Sequence, residues 1–122
     1  MTRDRLSELL NAFSALRIAV VGDFCLDRYL EIDAAHQEVS IETGLPVYKV
    51  DRVRAQPGAA GTVLNNLVAL GVKSVLPVGF CGDDGEGYEL FRALNQTDRV
   101  DARFFLKTTE RRTFTYCKPL LT

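Results

Sequence analysis

The chain has 122 residues, 47% of them hydrophobic and 25% charged, with a formal net charge of −1. That length serves one domain and is short for a two-lobed enzyme, and the composition is that of an ordinary soluble globular protein. The 15 Lys and Arg residues gather into no basic run interleaved with aromatics and no apolar run approaches a membrane span, which excludes nucleic-acid and membrane binding classes.

The opening residues, M-T-R-D-R-L-S-E-L-L-N-A-F, carry charges of both signs and read as neither signal nor transit peptide, so cytoplasm is the default compartment. Leu6, Leu9, Leu10, Phe13 and Leu16 recur at helical spacing, with Asp4 and Glu8 toward the end where the helix dipole favours acid. This predicts an amphipathic helix laid on the domain. Residues 17–22, R-I-A-V-V-G, form a short β-branched run, the pattern of a strand buried on both faces of a parallel sheet. Residues 22–29, G-D-F-C-L-D-R-Y, then place Asp23 and Asp27 directly after that strand, at the edge where open α/β sheets bind ligands. A carboxylate there suits two vicinal sugar hydroxyls, each donating a charge-assisted hydrogen bond. Asp also caps turns, and both uses stay open.

Residues 29–32 and 46–53 alternate apolar and polar, predicting two strands with one wet face inserted as a small protruding sheet. Such a sheet calls for a ligand beneath it, another subunit, or both. His36, between them, has no ligand-spaced Cys or second His and reads as a loop histidine. Residues 56–71, Q-P-G-A-A-G-T-V-L-N-N-L-V-A-L-G, couple a small-residue turn to a helical pattern. Pro57 stops the preceding element, and Gly58, Ala59, Ala60 and Gly61 leave little bulk where the helix begins. Ala60, Val63, Leu64, Leu67, Val68 and Leu70 share a core-facing side; Thr62, Asn65, Asn66 and Ala69 share the other. The start offers N–H donors to a polar ligand, or simple clearance for packing on a sheet.

Residues 73–78, K-S-V-L-P-V, predict a second core strand joined by a βαβ crossover, with Pro77 marking a strand end or an edge. The turn over residues 79–87 leads into a helix with Tyr88, Leu90, Phe91 and Leu94, where Asp83 and Asp84 read as caps rather than metal ligands. Residues 100–106 and 113–118 are strand-like and predict a hairpin through T-T-E-R-R. Arg111 and Arg112 at that turn reach a phosphate or form a solvated charge pair. Cys25, Cys81 and Cys117 are odd in number, with no C-x-x-C pair, and read as reduced thiols.

The ordered set G-D-F-C-L-D-R-Y, E-T-G-L-P-V-Y-K-V, P-G-A-A-G-T-V-L-N-N-L-V-A-L-G and V-G-F-C-G-D-D-G-E-G resembles the N-terminal part of the PfkB or ribokinase family of carbohydrate kinases, over roughly residues 17–118. It is most similar to the heptose-7-phosphate kinase branch, on residues 22–29 and 42–47. A dinucleotide-binding reading fails, because residues 22–27 are not G-x-G-x-x-G. The resemblance implies an α/β, ribokinase-like fold with a protruding small β lid, incomplete over residues 1–122: core elements at 17–27 and 56–106, lid strands at 28–55 and 112–118.

By the same resemblance, Asp27 matches the family's sugar-binding aspartate, and Gly58 with Ala59 its substrate-side di-glycine. Thr62 stands where the family usually has asparagine, which keeps a hydrogen-bonding group but shortens its reach; Asn66, one turn on, offers compensation. Asp23 and Arg112 are further substrate candidates. The family's catalytic aspartate, in a G-A-G-D motif, matches nothing here and is expected downstream of Thr122, as is the ATP site. The implied role is the sugar-binding and lid portion of an ATP-dependent kinase acting on a sugar or sugar phosphate, homodimeric through the β lid. ATP and Mg2+ then serve the full-length parent, and neither binds tightly to this chain. The alternative is a non-catalytic dimerisation or regulatory module derived from a kinase fold.

Overall fold

The structure is a computed structural model describing residues 2–96 and 98–121. Helix α1 (Arg3–Phe13) starts at Thr2, whose hydroxyl accepts the Arg5 N–H at 3.3 Å. Strands β1 (Arg17–Val21), β6 (Ser74–Gly82) and β7 (Phe105–Thr108) form a parallel sheet in the order β1-β6-β7. Strands β2 (Phe24–Ile32), β5 (Arg52–Ala59) and β8 (Thr115–Leu121) form a second sheet, β5-β2-β8, with β5 antiparallel and β8 parallel to β2. A two-residue pair, β3 (Glu38–Val39) with β4 (Pro46–Val47), extends from it.

Helices α2 (Ala60–Ala69) and α3 (Gly85–Leu94) supply the apolar side chains that cover the first sheet. Leu64, Leu90 and Val75 are fully buried and pack with the buried Val20 and Phe105, each large side chain contributing about 1.5–3 kcal/mol. Phe24, at the start of β2, meets Phe105 edge-on with centroids 5.1 Å apart, so one core serves the roots of both sheets. Helix α2 ends at Gly71, whose φ of +83° is the left-handed geometry of a helix C-terminus.

Several expectations from sequence are corrected. Helix α1 forms, but no residue of it is buried and only Phe13 packs on the core, because among the described residues no apolar surface opposes Leu6, Leu9 and Leu10. Strand β1 is buried on one face only, with Val20 inside and Val21 75% exposed, since among the described residues the core packs on that one face. Val63 of α2 and Leu70 just beyond it face outward, because the helix covers the sheet along a stripe narrower than its apolar arc.

The strand expected over residues 46–53 is interrupted after Val47, and β5 runs straight through Pro57. The Leu26 N–H donates to the Phe114 carbonyl at 2.8 Å, on the β8 side, so the facing pair Leu26–Pro57 is not hydrogen-bonded and Pro57 lacks only an outward N–H. Pro77 lies inside the central strand β6, not at its end or at an edge. The amides of Val75 and Pro77 face the β7 side, where a 3-10 turn (Ala102–Phe104) replaces strand pairing.

The expected hairpin is absent: β7 pairs with β6, and β8 pairs with β2 in the other sheet. Asp84 diverts the chain between them. Its carboxylate caps α3 by accepting the Gly87 N–H at 2.7 Å, and also accepts the Thr113 N–H at 2.9 Å and hydroxyl at 2.7 Å. Asp84 is therefore the cap that its position in the sequence indicates, and a cross-link besides. Burial pushes its pKa up, but the bonds from Thr113 and Gly87 outweigh this and hold it below the ordinary carboxylate value. The Asp84→Ala variant is expected to lose about 2–4 kcal/mol in urea unfolding. Because the folded pKa is depressed, the contribution of Asp84 is present above its unfolded value of about 3.9 and fades as pH falls through the folded one. An Asp84→Asn variant should show a flatter acid limb.

Candidate functional site

Side chains alternate along β2, and this splits its residues between two tasks. Leu26 points into the core and Arg28 toward α3, where its guanidinium pairs with Glu89 at 2.7 Å and Glu86 at 3.5 Å. Cys25, Asp27 and Tyr29 lie on the opposite face, beside Gly58 and Gln56 of β5 and Tyr116 and Lys118 of β8.

Asp27 and Gly58 are brought together as expected. A Cβ on residue 58 would lie 2.6 Å from Cys25 Sγ and 2.9 Å from Asp27 Oδ2, so the carboxylate occupies space that only glycine leaves open. The Cys25 thiol beneath is pushed up in pKa by burial and then by Asp27, and stays a neutral thiol near pH 7.

Sequence reasoning missed Lys118 as a site residue. Its Nζ lies 2.8 Å from Asp27 Oδ1 and 3.4 Å from the Tyr29 hydroxyl, with the Tyr29 and Tyr116 ring centroids at 4.9 Å and 5.9 Å. The hydrogen bond to Asp27 raises the Lys118 pKa, so the ammonium is kept charged at neutral pH. The run T-Y-C-K shows that Tyr116 and Lys118 share a face; which strand they face depends on a parallel pairing 91 residues back, which spacing does not carry.

At the start of α2, Ala59 holds φ +53° and ψ −117°, a backbone region that glycine tolerates and alanine does not. No side chain caps this helix, and the Ala60 N–H donates to the Asp23 carbonyl at 2.9 Å. Thr62 and Asn66 are exposed on α2, and among the described residues no hydrogen bond or ion pair joins either to Asp27. Asp23 and Arg112 border a separate cleft of roughly 300 Å³ with Gly22, Phe24, Phe80 and Thr113. Arg112 pairs with Glu86 at 3.0 Å and approaches Asp84 at 3.8 Å. The candidates thus fall in three places: Asp27 with Gly58 on the second sheet, Thr62 and Asn66 on α2, and Asp23 with Arg112 at the cleft.

The N-terminus of α3 does not fit a nucleotide phosphate. Asp84 and Glu86 set negative charge at the N-terminus of α3, where a phosphate would need N–H donors, and the Asp84 oxygens are already engaged.

No protein-family model matches the chain. It is 39% identical over 99 residues to the bifunctional protein HldE of Hyphomonas neptunium, covering 81% of this chain and 20% of that protein. To the HldE of Coxiella burnetii it is 42% identical over 87 residues, 71% of this chain and 18% of the relative. The chain therefore spans about a fifth of the length of the curated relatives it matches. Among solved structures, Arabidopsis thaliana ribokinase complexed with ribose and ATP superposes with a TM-score of 0.61 at 21% identity, covering 88% of this chain and 33% of that one. A carbohydrate kinase from Agrobacterium tumefaciens gives 0.60 at 23% identity, over 86% and 31%.

The fold is thus that of a ribokinase-like α/β protein. Sequence and fold together place the chain with the N-terminal portion of PfkB/ribokinase carbohydrate kinases, alongside the HldE proteins.

The strained backbone at residue 59 gives a direct check on this geometry. Ala59→Gly is expected to raise stability in denaturant unfolding by about 1 kcal/mol. Gly58→Ala should lower it by about 2 kcal/mol, by driving a methyl group into Cys25 and Asp27.

Proposed function

We propose that this chain is the sugar-binding and lid portion of an ATP-dependent kinase for a sugar or sugar phosphate. The observation that carries the reading is the half-buried Asp27 carboxylate seated over Gly58 and paired with the protonated Lys118. Asp27 Oδ2 faces Gly58 while Oδ1 is held by Lys118, so the carboxylate is oriented before a substrate arrives. Two sugar hydroxyls donate to it, and the Tyr29 and Tyr116 rings beside it suit the apolar face of a sugar.

Gly58 and Ala59 at the end of β5, with Thr62 and Asn66 on α2, line the substrate side. The uncapped start of that helix supports this reading, because its N–H groups suit an oxygen-rich ligand. Thr62 in place of asparagine favours a sugar other than the heptose or ribose of the resembling kinases. Asp23 and Arg112 act in the neighbouring cleft. The catalytic aspartate, ATP and Mg2+ belong to the full-length parent, which works in the cytoplasm; core elements at 17–27 and 56–106 then carry lid strands at 28–55 and 112–118.

The lid also serves a homodimer. Ile41, fully exposed, with Val39, Leu45, Val47 and Tyr48 forms an apolar surface on the β3–β4 extension. The same surface favours the second reading, a non-catalytic dimerisation or regulatory module. Sedimentation separates the elements of this picture: a dimer that an Ile41→Asp substitution dissolves supports lid pairing, and a monomer throughout contradicts it.

In the full-length parent, Asp27→Ala is expected to reduce sugar-dependent ATP hydrolysis by about 100-fold, or ~2.7 kcal/mol of transition-state stabilisation. Unchanged turnover would remove Asp27 from the site. The 122-residue chain alone is expected to show no turnover above background with any sugar.

A further inference from the structure

Between the end of β2 at Ile32 and the start of β5 at Arg52, residues 33–51 leave the second sheet and return. The two ends of this excursion are tied together. The Asp51 N–H donates to the Glu31 carbonyl at 2.9 Å, and the Asp33 N–H donates to Asp51 Oδ2 at 3.2 Å. Asp33 also caps the single 3-10 turn Ala34–His36, its Oδ1 accepting the Ala35 N–H at 2.8 Å while its carbonyl accepts the His36 N–H at 3.1 Å. That turn folds the imidazole back, with Nδ1 3.5 Å from Asp33 Oδ2 and 3.9 Å from Asp51 Oδ2. Ligating atoms of all three residues lie within 4.8 Å of one another.

We propose that Asp33, His36 and Asp51 form a binding site for a divalent transition-metal ion that clips the base of this excursion. One imidazole nitrogen and two carboxylate oxygens suit borderline ions such as Zn2+, Co2+ or Mn2+ rather than the all-oxygen shells of Ca2+. Bonds of about 2.0–2.2 Å place neighbouring ligand atoms about 3–3.5 Å apart. Rotating the side chains inward closes the difference, and a cation between the carboxylates removes the repulsion that otherwise holds them apart.

Among the described residues no Lys or Arg forms an ion pair with Asp33 or Asp51; His36 is the one basic side chain set against both. The hydrogen bonds of Asp33 and Asp51 already hold the backbone of the turn, so binding requires rotation of the side chains alone. The side chains remain 42%, 62% and 48% exposed, which leaves room for water to complete the coordination shell and sets the affinity in the micromolar rather than the nanomolar range. His36 has no ligand-spaced Cys or second His in the sequence, and Asp51 arrives only through the β2–β5 pairing. The occupied clip would order residues 33–51, and with them the apolar surface around Ile41. Nothing in this site depends on Asp27 or on a kinase reading.

The test is titration of the metal-free full chain, carrying Cys117→Ser to remove the exposed thiol, with ZnCl2 by calorimetry and CoCl2 by visible absorption. One equivalent is expected with a Kd on the order of 10 µM, weakened at least about tenfold by His36→Ala and by Asp51→Asn. In the unsubstituted chain, trace Mn2+ should broaden the His36 ring protons and the amides of Asp33 and Asp51 before any others. The proposal is overturned by no binding up to about 1 mM, by binding that His36→Ala leaves intact, or by broadening centred elsewhere. In those cases the cluster is only a histidine beside two carboxylates.

Discussion

The candidate site depends on one close approach, the passage of β5 across β2 at Gly58. Any side chain at that position would strike Cys25 Sγ and Asp27 Oδ2. With it absent, the antiparallel ladder runs unbroken from Phe24–Ala59 to Glu31–Arg52, and the Asp27 carboxylate rests on bare backbone. The next residue is Ala59, strained at positive φ, where the chain turns from strand into helix α2 without an intervening loop. One point therefore sets the register of the second sheet, the start of α2 and the seat of the carboxylate.

Asp84 does for the other half of the molecule what Gly58 does for this one. By accepting from Thr113 and Gly87 it redirects the chain after β7 away from the parallel sheet, so that β8 arrives alongside β2. That redirection delivers Lys118 to Asp27. Arg28, on the reverse face of β2, pairs with Glu86 and Glu89 of α3 and fixes the second sheet on the core. The ion pairs are half-buried, where removing one partner leaves a charge without its counterpart, so they act on orientation more than on net stability.

Much of this was legible in the sequence, and the exceptions have a common cause. The helices, the first core strand, the cap at Asp84 and the Asp27–Gly58 association all follow from local pattern or from motifs kept in order along the chain. What failed concerned partners. The hairpin over residues 100–118 was expected because neighbouring strands usually pair; three hydrogen bonds to Asp84 separate them instead. Pro57 and Pro77 read as terminators because proline lacks a donor, yet each occupies a strand where that donor would have pointed away from any partner. Leu6, Leu9, Leu10, Val21 and Val63 carry core-like periodicity but remain exposed, since periodicity marks an apolar face without supplying the surface that covers it. Lys118 was missed for the reason the hairpin was expected: strand order is a long-range property.

Fold and sequence place this chain with carbohydrate kinases, and its second sheet sets an oriented carboxylate, a charged lysine and two aromatic rings over a backbone kept bare. The most direct measurement is a crystal structure of the full-length parent with its sugar bound. The expected density has two sugar hydroxyls within about 3 Å of the Asp27 carboxylate, with Gly58 beneath and Lys118 alongside. A sugar bound with Asp27 still occupied only by Lys118, and no hydroxyl on the carboxylate, would contradict it.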